Sequence, residues 1–146
     1  MRDAIWKAPN RDNILSALIF WSALQETRIP FQYGRDELLD SWHTLLMAKT
    51  VSALLFVDER ERARALAGLS RWLSGSLQYS PGTIGGIKVD GTTFHHGGFY
   101  PAYTTGVLAM VGQFIALTSI PGTCLPWSTP GAEIRIHIYA QLLQHL

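Results

Sequence analysis

Two side chains that can transfer protons, the imidazole of His96 and the phenol of Tyr103, lie seven residues apart in one glycine-rich stretch. The stretch, residues 82–105, holds six of the thirteen glycines, two of the five histidines and two of the five tyrosines. An imidazole titrates near neutral pH, and a phenol can donate a proton or, as its anion, accept one. The pair therefore predicts either a site for proton transfer or a segment that only packs, with its polar atoms hydrogen-bonded.

Local sequence rules suggest how this stretch brings the two groups together. The pair Gly97-Gly98 breaks a helix and permits a bend that folds His96 back toward Tyr103. Pro101 suits the first position of a new helix, which places Tyr103 in the first turn. A helix N-terminus and a cationic neighbour would stabilise the tyrosinate, so we expect the pKa of Tyr103 to be lowered.

A long segment around these residues carries no formal charge, since Asp, Glu, Lys and Arg are absent from residues 91–132. Polar side chains without charge suit the floor of a sugar-binding cleft. Charges that meet an acidic ligand would have to come from elsewhere in the chain, such as Lys88 or Arg71.

Each candidate contact to such a ligand has a structural alternative. His95 is either structural or a contact at the rim, and Tyr100 either packs or hydrogen-bonds a sugar. Trp42 could stack on a sugar ring or belong to the core. Arg71 and Lys88 could meet sulfate or carboxylate groups, or be solvated surface residues.

Length and composition limit the class of protein. The 146 residues suffice for one domain, and hydrophobic and charged residues make up 47% and 16% of the chain. The net charge of +1 argues against a general nucleic-acid binder, and no apolar run approaches the ~20 residues of a membrane-spanning helix. One cysteine, Cys124, excludes an internal disulfide. The residues identify no cofactor and no zinc-ligand spacing, and they leave a divalent cation open.

The hydrophobic pattern predicts an all-α domain of antiparallel helical hairpins. A first helix from Asn10 or Asp12 to about Gln25 is apolar nearly all round, so we expect it to be buried on several sides. Asp58 should cap a third helix, whose inner stripe runs from Ala63 to Leu77. The other helices are expected over residues 36–56, 101–117 and 133–144, with a loop over 119–131.

At the glycine-rich stretch the chain resembles a known family. The sequence DGTTFHHGGFYPAYTTGVLAMVGQF, residues 90–114, is similar to the active-site segment of polysaccharide lyase family 8, specifically of the chondroitin sulfate ABC lyases. GRDELLDSWHTLL and SRWL…PGTIGGIK also resemble parts of that family's helical domain, so the resemblance covers residues 33–118. It implies that residues 1–146 are one segment of an incomplete (α/α) toroid with a catalytic glycine-rich loop, and that residues 119–146 form a divergent tail.

The resemblance also implies a reaction, the β-elimination of chondroitin or dermatan sulfate at uronic acids. His96 and Tyr103 match the family's catalytic histidine and tyrosine, whereas its catalytic arginine and glutamate have no match here. The implied partners are the sulfated glycosaminoglycan and the remaining catalytic and β domains of a parent enzyme. The family also implies a periplasmic or secreted location, although no secretory signal is visible in the chain.

Two other functions compete with catalysis. The chain could be a helical module that binds acidic polysaccharide without cleaving it, because half of the family's catalytic set has no match. It could also be an inactive truncated product, because a slice of a toroid exposes helix faces that need neighbours.

Overall fold

The computed structural model describes residues 2–34 and 38–118. These residues are mostly helical, which confirms the helical part of the prediction, and they include one small sheet. The helices are α1 (Arg2–Trp6), α2 (Arg11–Trp21), a 3-10 helix (Leu24–Arg28), α3 (Leu38–Asp40), a π-helical turn (Ser41–Leu45), α4 (Leu46–Leu54), α5 (Glu59–Ser76) and α6 (Pro101–Thr118). The predicted loop over residues 119–131 and the helix over 133–144 lie outside the described residues, and the toroid stays a prediction.

The first long helix, α2, forms where the apolar pattern places it but is not buried. It begins at Arg11 and gives way to the 3-10 helix before the predicted end at Gln25. None of its residues is buried, and the side chains of Phe20 and Trp21 are 65% and 77% exposed. The prediction of burial on several sides is therefore wrong for the described residues. The elements beside α2 there are α1, the 3-10 helix and α4, which leave part of its apolar circumference uncovered.

The second helical region continues through three elements, α3, the π-helical turn and α4. Leu38 and Leu39 are buried at its start, and the predicted first residues, Asp36 and Glu37, lie outside the described part of the chain. A π-helical turn widens the helix by one residue and is often found at functional sites. This region packs against α5 and α6 and supplies one wall of the core.

The cap of α5 is confirmed. The Asp58 side chain accepts hydrogen bonds from the backbone N–H groups of Arg60 at 2.8 Å and Glu61 at 2.9 Å. An aspartate at this position satisfies donors that the helix leaves without partners. The predicted inner stripe is correct at its C-terminal end, where Leu73 is buried, and wrong at Ala63, which is exposed.

The core lies between the second helical region, α5, β1 and α6. Its members share burial of their apolar side chains: Leu38, Leu39, Trp42, Leu46, Leu69, Trp72, Leu73, Leu77, Ile87, Val107, Leu108, Val111 and Phe114. Next to this core lies one buried ion pair, in which Lys49 Nζ is 2.8 Å from Glu26 Oε1. The contact is close but is not aligned as a hydrogen bond.

The glycine-rich stretch is not all loop, because it folds into a three-stranded antiparallel sheet in the order β1 (Gly86–Ile87), β2 (Thr93–His95) and β3 (Gly98–Phe99). His95 pairs with Gly98, so His96 and Gly97 form a two-residue hairpin turn. Both turn residues have positive φ, +50° and +75°, as a type I′ turn requires.

The helix α6 begins at Pro101 and places Tyr103 in its first turn, as predicted. Its buried residues Val107, Leu108 and Val111 anchor it in the core, and the hydroxyls of Thr93 and Thr104 share a hydrogen bond that ties β2 to the start of α6. Within residues 2–34 and 38–118, no helix combines the length and the apolarity needed to cross a membrane.

The close approach of α5 to the 3-10 helix predicts a difference in stability between substitutions at two glycines. A Cβ added at Gly68 on α5 would lie 2.9 Å from the backbone oxygen of Thr27, whereas one added at Gly112 on α6 would meet nothing within 4 Å. We expect Gly68→Ala to lower the free energy of unfolding by about 1–3 kcal/mol, because backbone atoms cannot move aside cheaply. Gly112→Ala should raise it by up to ~1 kcal/mol through helix propensity.

Thermal or urea unfolding of the two variants beside the unsubstituted chain measures both effects. Equal stability of the Gly68→Ala and Gly112→Ala variants would contradict the packing of α5 against the 3-10 helix.

Candidate active site

The phenol of Tyr103 is the centre of a cluster of polar rings at the start of α6. Its hydroxyl donates a hydrogen bond to Oδ1 of Asp40. The imidazole of His95 stacks on its ring at a centroid distance of 5.1 Å and an interplanar angle of 10°. His43 packs against the same ring at 5.0 Å, and Tyr100 meets it edge-on at 6.2 Å. The described part of the chain thus surrounds one phenol with a carboxylate and two imidazoles.

Three segments bring these side chains together. Asp40 is the last residue of α3, and His43 lies in the π-helical turn that follows it. His95 ends β2, which the Thr93–Thr104 hydrogen bond holds against α6. Asp40 and His43 thus reach Tyr103 from one segment of the chain, and His95 reaches it from another. The arrangement depends on tertiary packing rather than on sequence spacing.

The sequence pattern does not single out Asp40, and at His43 it indicates no more than a residue on a helix face. Asp40 lies 63 residues before Tyr103, so no local pattern joins the two. The signal that exists is the spacing of three residues between Asp40 and His43, which puts a carboxylate and an imidazole on one helical turn. The Asp40 side chain is 41% exposed, and its Oδ1 also lies 3.9 Å from Nε2 of His95.

The two adjacent histidines occupy different environments. His95 is 5% exposed on its strand, whereas His96 is exposed at the hairpin turn. Their rings lie 3.8 Å apart at an angle of 33°. The expected bend does exist, but it is the ring of His95 that stacks on Tyr103. Because His95 is buried, it offers little surface to a ligand and serves as a packing partner of the phenol.

The expected lowering of the Tyr103 pKa is wrong for the described residues. Burial, the hydrogen bond to Asp40 and the charge of that carboxylate together raise the pKa of Tyr103 to about 12. The neighbour is an anion, which opposes formation of a tyrosinate. Since the ordinary pKa is about 10, the neutral phenol stabilises the fold below that pH, and this stabilisation is lost as the pH rises toward 12.

Trp42 does not serve as a sugar platform. Its side chain has no exposed surface, and its Nε1 donates a hydrogen bond to Oγ of Ser76 at 2.9 Å. The helical spacing that suggested either a platform or a core residue therefore marks a core residue, because stacking on a ligand requires an open ring face.

Lys88 is also placed differently from the expectation of a ligand contact. Its Nζ donates to the carbonyl of Ile84 at 2.6 Å and to Oγ of Ser80 at 2.8 Å, and it lies 4.7 Å above the ring of Phe94. Burial lowers the pKa of Lys88, and the charge of Asp90 opposes that shift. The ammonium group is thus used to hold the connection between α5 and β1.

Arg71 and Tyr100 keep exposed surface but in different places. Tyr100 is half exposed at the edge of the Tyr103 cluster, where its ring also meets His95 edge-on at 6.0 Å. Arg71 lines a cavity of about 430 Å³ between the 3-10 helix and α5, together with Arg28 and Arg64. None of the rings around Tyr103 lines that cavity, so Arg71 belongs to a different surface.

Within the described ranges, no three His, Cys, Asp or Glu side chains gather as metal ligands would. The phenol, the carboxylate and the imidazoles of the cluster are groups that can exchange protons.

A family model described as "Lyase, catalytic" matches residues 1–135. The chain belongs to this lyase family. The family match and the relatives described below confirm, at the level of the family, the sequence resemblance to chondroitin sulfate ABC lyases.

Three curated proteins that are similar to this chain bear related names. The chondroitin sulfate ABC exolyase of Bacteroides thetaiotaomicron is 34% identical over 99 residues, which is 68% of this chain and 10% of that protein. The exolyase of the same name from Proteus vulgaris is 41% identical over 68 residues, or 47% and 7% of the two chains. The chondroitin sulfate ABC endolyase of Proteus vulgaris is 28% identical over 119 residues, or 80% and 12%. The chain spans about a tenth of the length of these relatives. No solved structure matches it.

The space for His43 beside Tyr103 depends on Gly106. A Cβ added at Gly106 would lie 2.9 Å from Nε2 and 3.1 Å from Cδ2 of His43. We expect Gly106→Ala to displace this ring and to lower the free energy of unfolding by about 1–3 kcal/mol. The effect is measured by urea unfolding, and the disturbance of Tyr103 by near-ultraviolet circular dichroism.

A double-mutant cycle isolates the contact, since Gly106→Ala should cost little in a His43→Ala background, where the ring is gone. An unchanged cost in that background would show that His43 is not the group that Gly106 accommodates.

Proposed function

We propose that the chain carries catalytic groups of a lyase that cleaves chondroitin or dermatan sulfate at uronic acids by β-elimination. Membership of the lyase family and the names of the curated relatives support the reaction and the polymer. The observation that carries the proposal is the partly buried Tyr103 phenol, which lies among imidazoles at the start of α6.

The proposed reaction needs two proton transfers. A base takes the proton from C5 of the uronic acid, the bond between C4 and its bridging oxygen breaks, and a double bond forms between C4 and C5. An acid gives a proton to the departing oxygen. No water is added, and each of the two groups returns to its starting state by exchange of one proton with solvent.

Tyr103 suits the role of the acid. Its pKa of about 12 keeps the phenol protonated at neutral pH, and a neutral phenol can protonate the departing oxygen. His96 suits the role of the base, because its imidazole is exposed on the two-residue turn and can accept a proton. The C5 protons of glucuronate and iduronate lie on opposite faces, so a lyase that accepts both would use two bases. We assign the iduronate proton to His96, and glucuronate would use another base.

The remaining parts of the proposal concern the parent enzyme. The family's arginine and glutamate would neutralise the substrate carboxylate and complete the site, and neither has a match in this chain. We propose that they belong to further catalytic and β domains that join this segment in an incomplete (α/α) toroid, in a periplasmic or secreted enzyme.

Substitution of Tyr103 tests the acid. Tyr103→Phe keeps the ring that stacks on His95 but removes the transferable proton. We expect turnover of chondroitin sulfate to fall by about 10²–10⁴-fold with nearly unchanged binding. The measurement is the ultraviolet absorbance of the unsaturated uronate product.

The matched control is Tyr79→Phe, which removes a phenol from an exposed ring outside the cluster and should leave turnover unchanged. Strong residual activity of the Tyr103→Phe variant would contradict the assignment.

Substitution of His96 tests the base without disturbing the hairpin. His96→Asn creates an Asn-Gly pair, the sequence that type I′ turns favour, so the turn should be kept while the imidazole is lost. We expect turnover to fall by about 10²-fold or more, with the larger loss on iduronate-containing polymer. Rates on the two polymers are compared directly, and equal rates for the variant and the unsubstituted chain would rule out His96 as the base.

A second candidate function is binding of acidic polysaccharide without cleavage. The observation that favours it is the cavity between the 3-10 helix and α5, which three arginines line with a single glutamate. Retention of the unsubstituted chain on immobilised chondroitin sulfate, with no unsaturated product, would select this function over the lyase.

A further inference from the structure

We propose that Asp40 is a positioning residue of the elimination, which holds Tyr103 as a proton donor and sets the pH above which the donor fails. This inference rests on the proposed function for its catalytic meaning, but the state of the phenol can be tested without turnover. Neither the family match nor the names of the relatives assign a role to Asp40.

The hydrogen bond itself fixes the direction of the proton. An ionised carboxylate has no hydrogen to give, so the phenol of Tyr103 must be the donor to Asp40 Oδ1. Hydrogen bonds to a charged acceptor are roughly twice as strong as neutral ones. Asp40 is placed at the end of α3, where the buried Leu38 and Leu39 anchor the helix in the core. The acceptor is thus held by tertiary structure rather than by a flexible loop.

The charges that face Tyr103 favour its neutral form. From the segment of α3 and the π-helical turn come Asp40 and His43, from β2 comes His95, and from its own helix comes Tyr100. Asp40 is the one carboxylate among them, and no Lys or Arg of the described residues appears in these contacts. The Nε2 atom of His95 lies 3.9 Å from Asp40 Oδ1, so the same carboxylate oxygen faces this imidazole as well as the phenol.

A donor held in this way gives a diagnostic pH profile. The rate of a step that needs the protonated phenol falls as the pH rises through the pKa of that phenol. If Tyr103 were instead the base, the rate would rise with pH through the same value, and removal of the Asp40 charge would increase the rate near neutral pH. The sign of the change on removing the charge therefore separates the two roles.

The test uses Asp40→Asn, in which the amide oxygen can still accept a hydrogen bond but the charge is gone. The readout is the Cζ chemical shift of Tyr103 in the tyrosine-labelled chain, assigned by its loss in Tyr103→Phe, and followed against pH. We expect the titration midpoint to move down from about 12 by roughly one pH unit. The alkaline limb of the rate profile on chondroitin sulfate should move down by the same amount.

Asp90→Asn is the matched control, because Asp90 is an exposed carboxylate near β2 that accepts its hydrogen bonds from Thr92 rather than from Tyr103. It should leave the midpoint unchanged. An unchanged midpoint in the Asp40→Asn variant overturns the inference, as does a midpoint at or below about 10 in the unsubstituted chain, a measurement that needs no folded Asp40 variant. A shifted midpoint in a chain without turnover would support the role of Asp40 and contradict the proposed function instead.

Discussion

The hydrogen bond from Tyr103 to Asp40 is the contact on which the rest of the cluster depends. It joins the first turn of α6 to the end of α3, across 63 residues of sequence. The same phenol is the surface on which His95 stacks and against which His43 packs, so a rotation of Tyr103 would open both ring contacts. Buried residues hold both ends of the bond, because Leu39 lies directly before Asp40 and Val107 lies one turn after Tyr103.

The small sheet separates two histidines that are adjacent in sequence. Side chains alternate along a strand, and His95 at the end of β2 follows Thr93 on the buried side, where Thr93 bonds to Thr104. His96 leaves the strand and enters the turn, where its φ of +50° turns the side chain into solvent. The two adjacent histidines thus differ in role: His95 is a buried packing partner of the phenol, and His96 is exposed and can reach a ligand.

Sequence reasoning succeeded where the cause is local. The cap at Asp58 and the helix start at Pro101 follow from hydrogen-bond donors and backbone angles of the residues themselves, and both are confirmed. The strands were missed because each has two or three residues, too few for an alternation to show. The family, too, was accessible, since its motif is contiguous.

The errors arise where the environment comes from a distant segment. The direction of the Tyr103 pKa shift required knowledge of its burial and of Asp40, whereas a helix terminus and an assumed cationic neighbour gave the opposite direction. The two expectations for Lys88, a ligand contact and a solvated surface residue, both require an exposed ammonium group. Two oxygen partners, Ser80 Oγ and the carbonyl of Ile84, instead make burial of that group tolerable. Burial of α2 was inferred from its composition, but composition does not supply the neighbours that would cover Phe20 and Trp21.

The buried ion pair of Glu26 and Lys49 limits where the carboxylate of Asp40 can lie. Glu26 Oε1 is 2.8 Å from Lys49 Nζ and accepts a hydrogen bond at 3.2 Å from Oγ of Ser41, the residue directly after Asp40. Burial lowers the pKa of Lys49, and the nearby carboxylate of Glu26 opposes that shift, so each charge of the pair depends on the other. Breaking such a pair costs about 3–5 kcal/mol, although an intact pair adds little to stability over an apolar replacement. We therefore interpret the ion pair as a contact that positions the backbone. Lys49 holds Glu26, and Glu26 holds Ser41 through its hydrogen bond. The π-helical turn thus begins at a fixed place, directly after Asp40, which accepts the hydrogen bond from Tyr103.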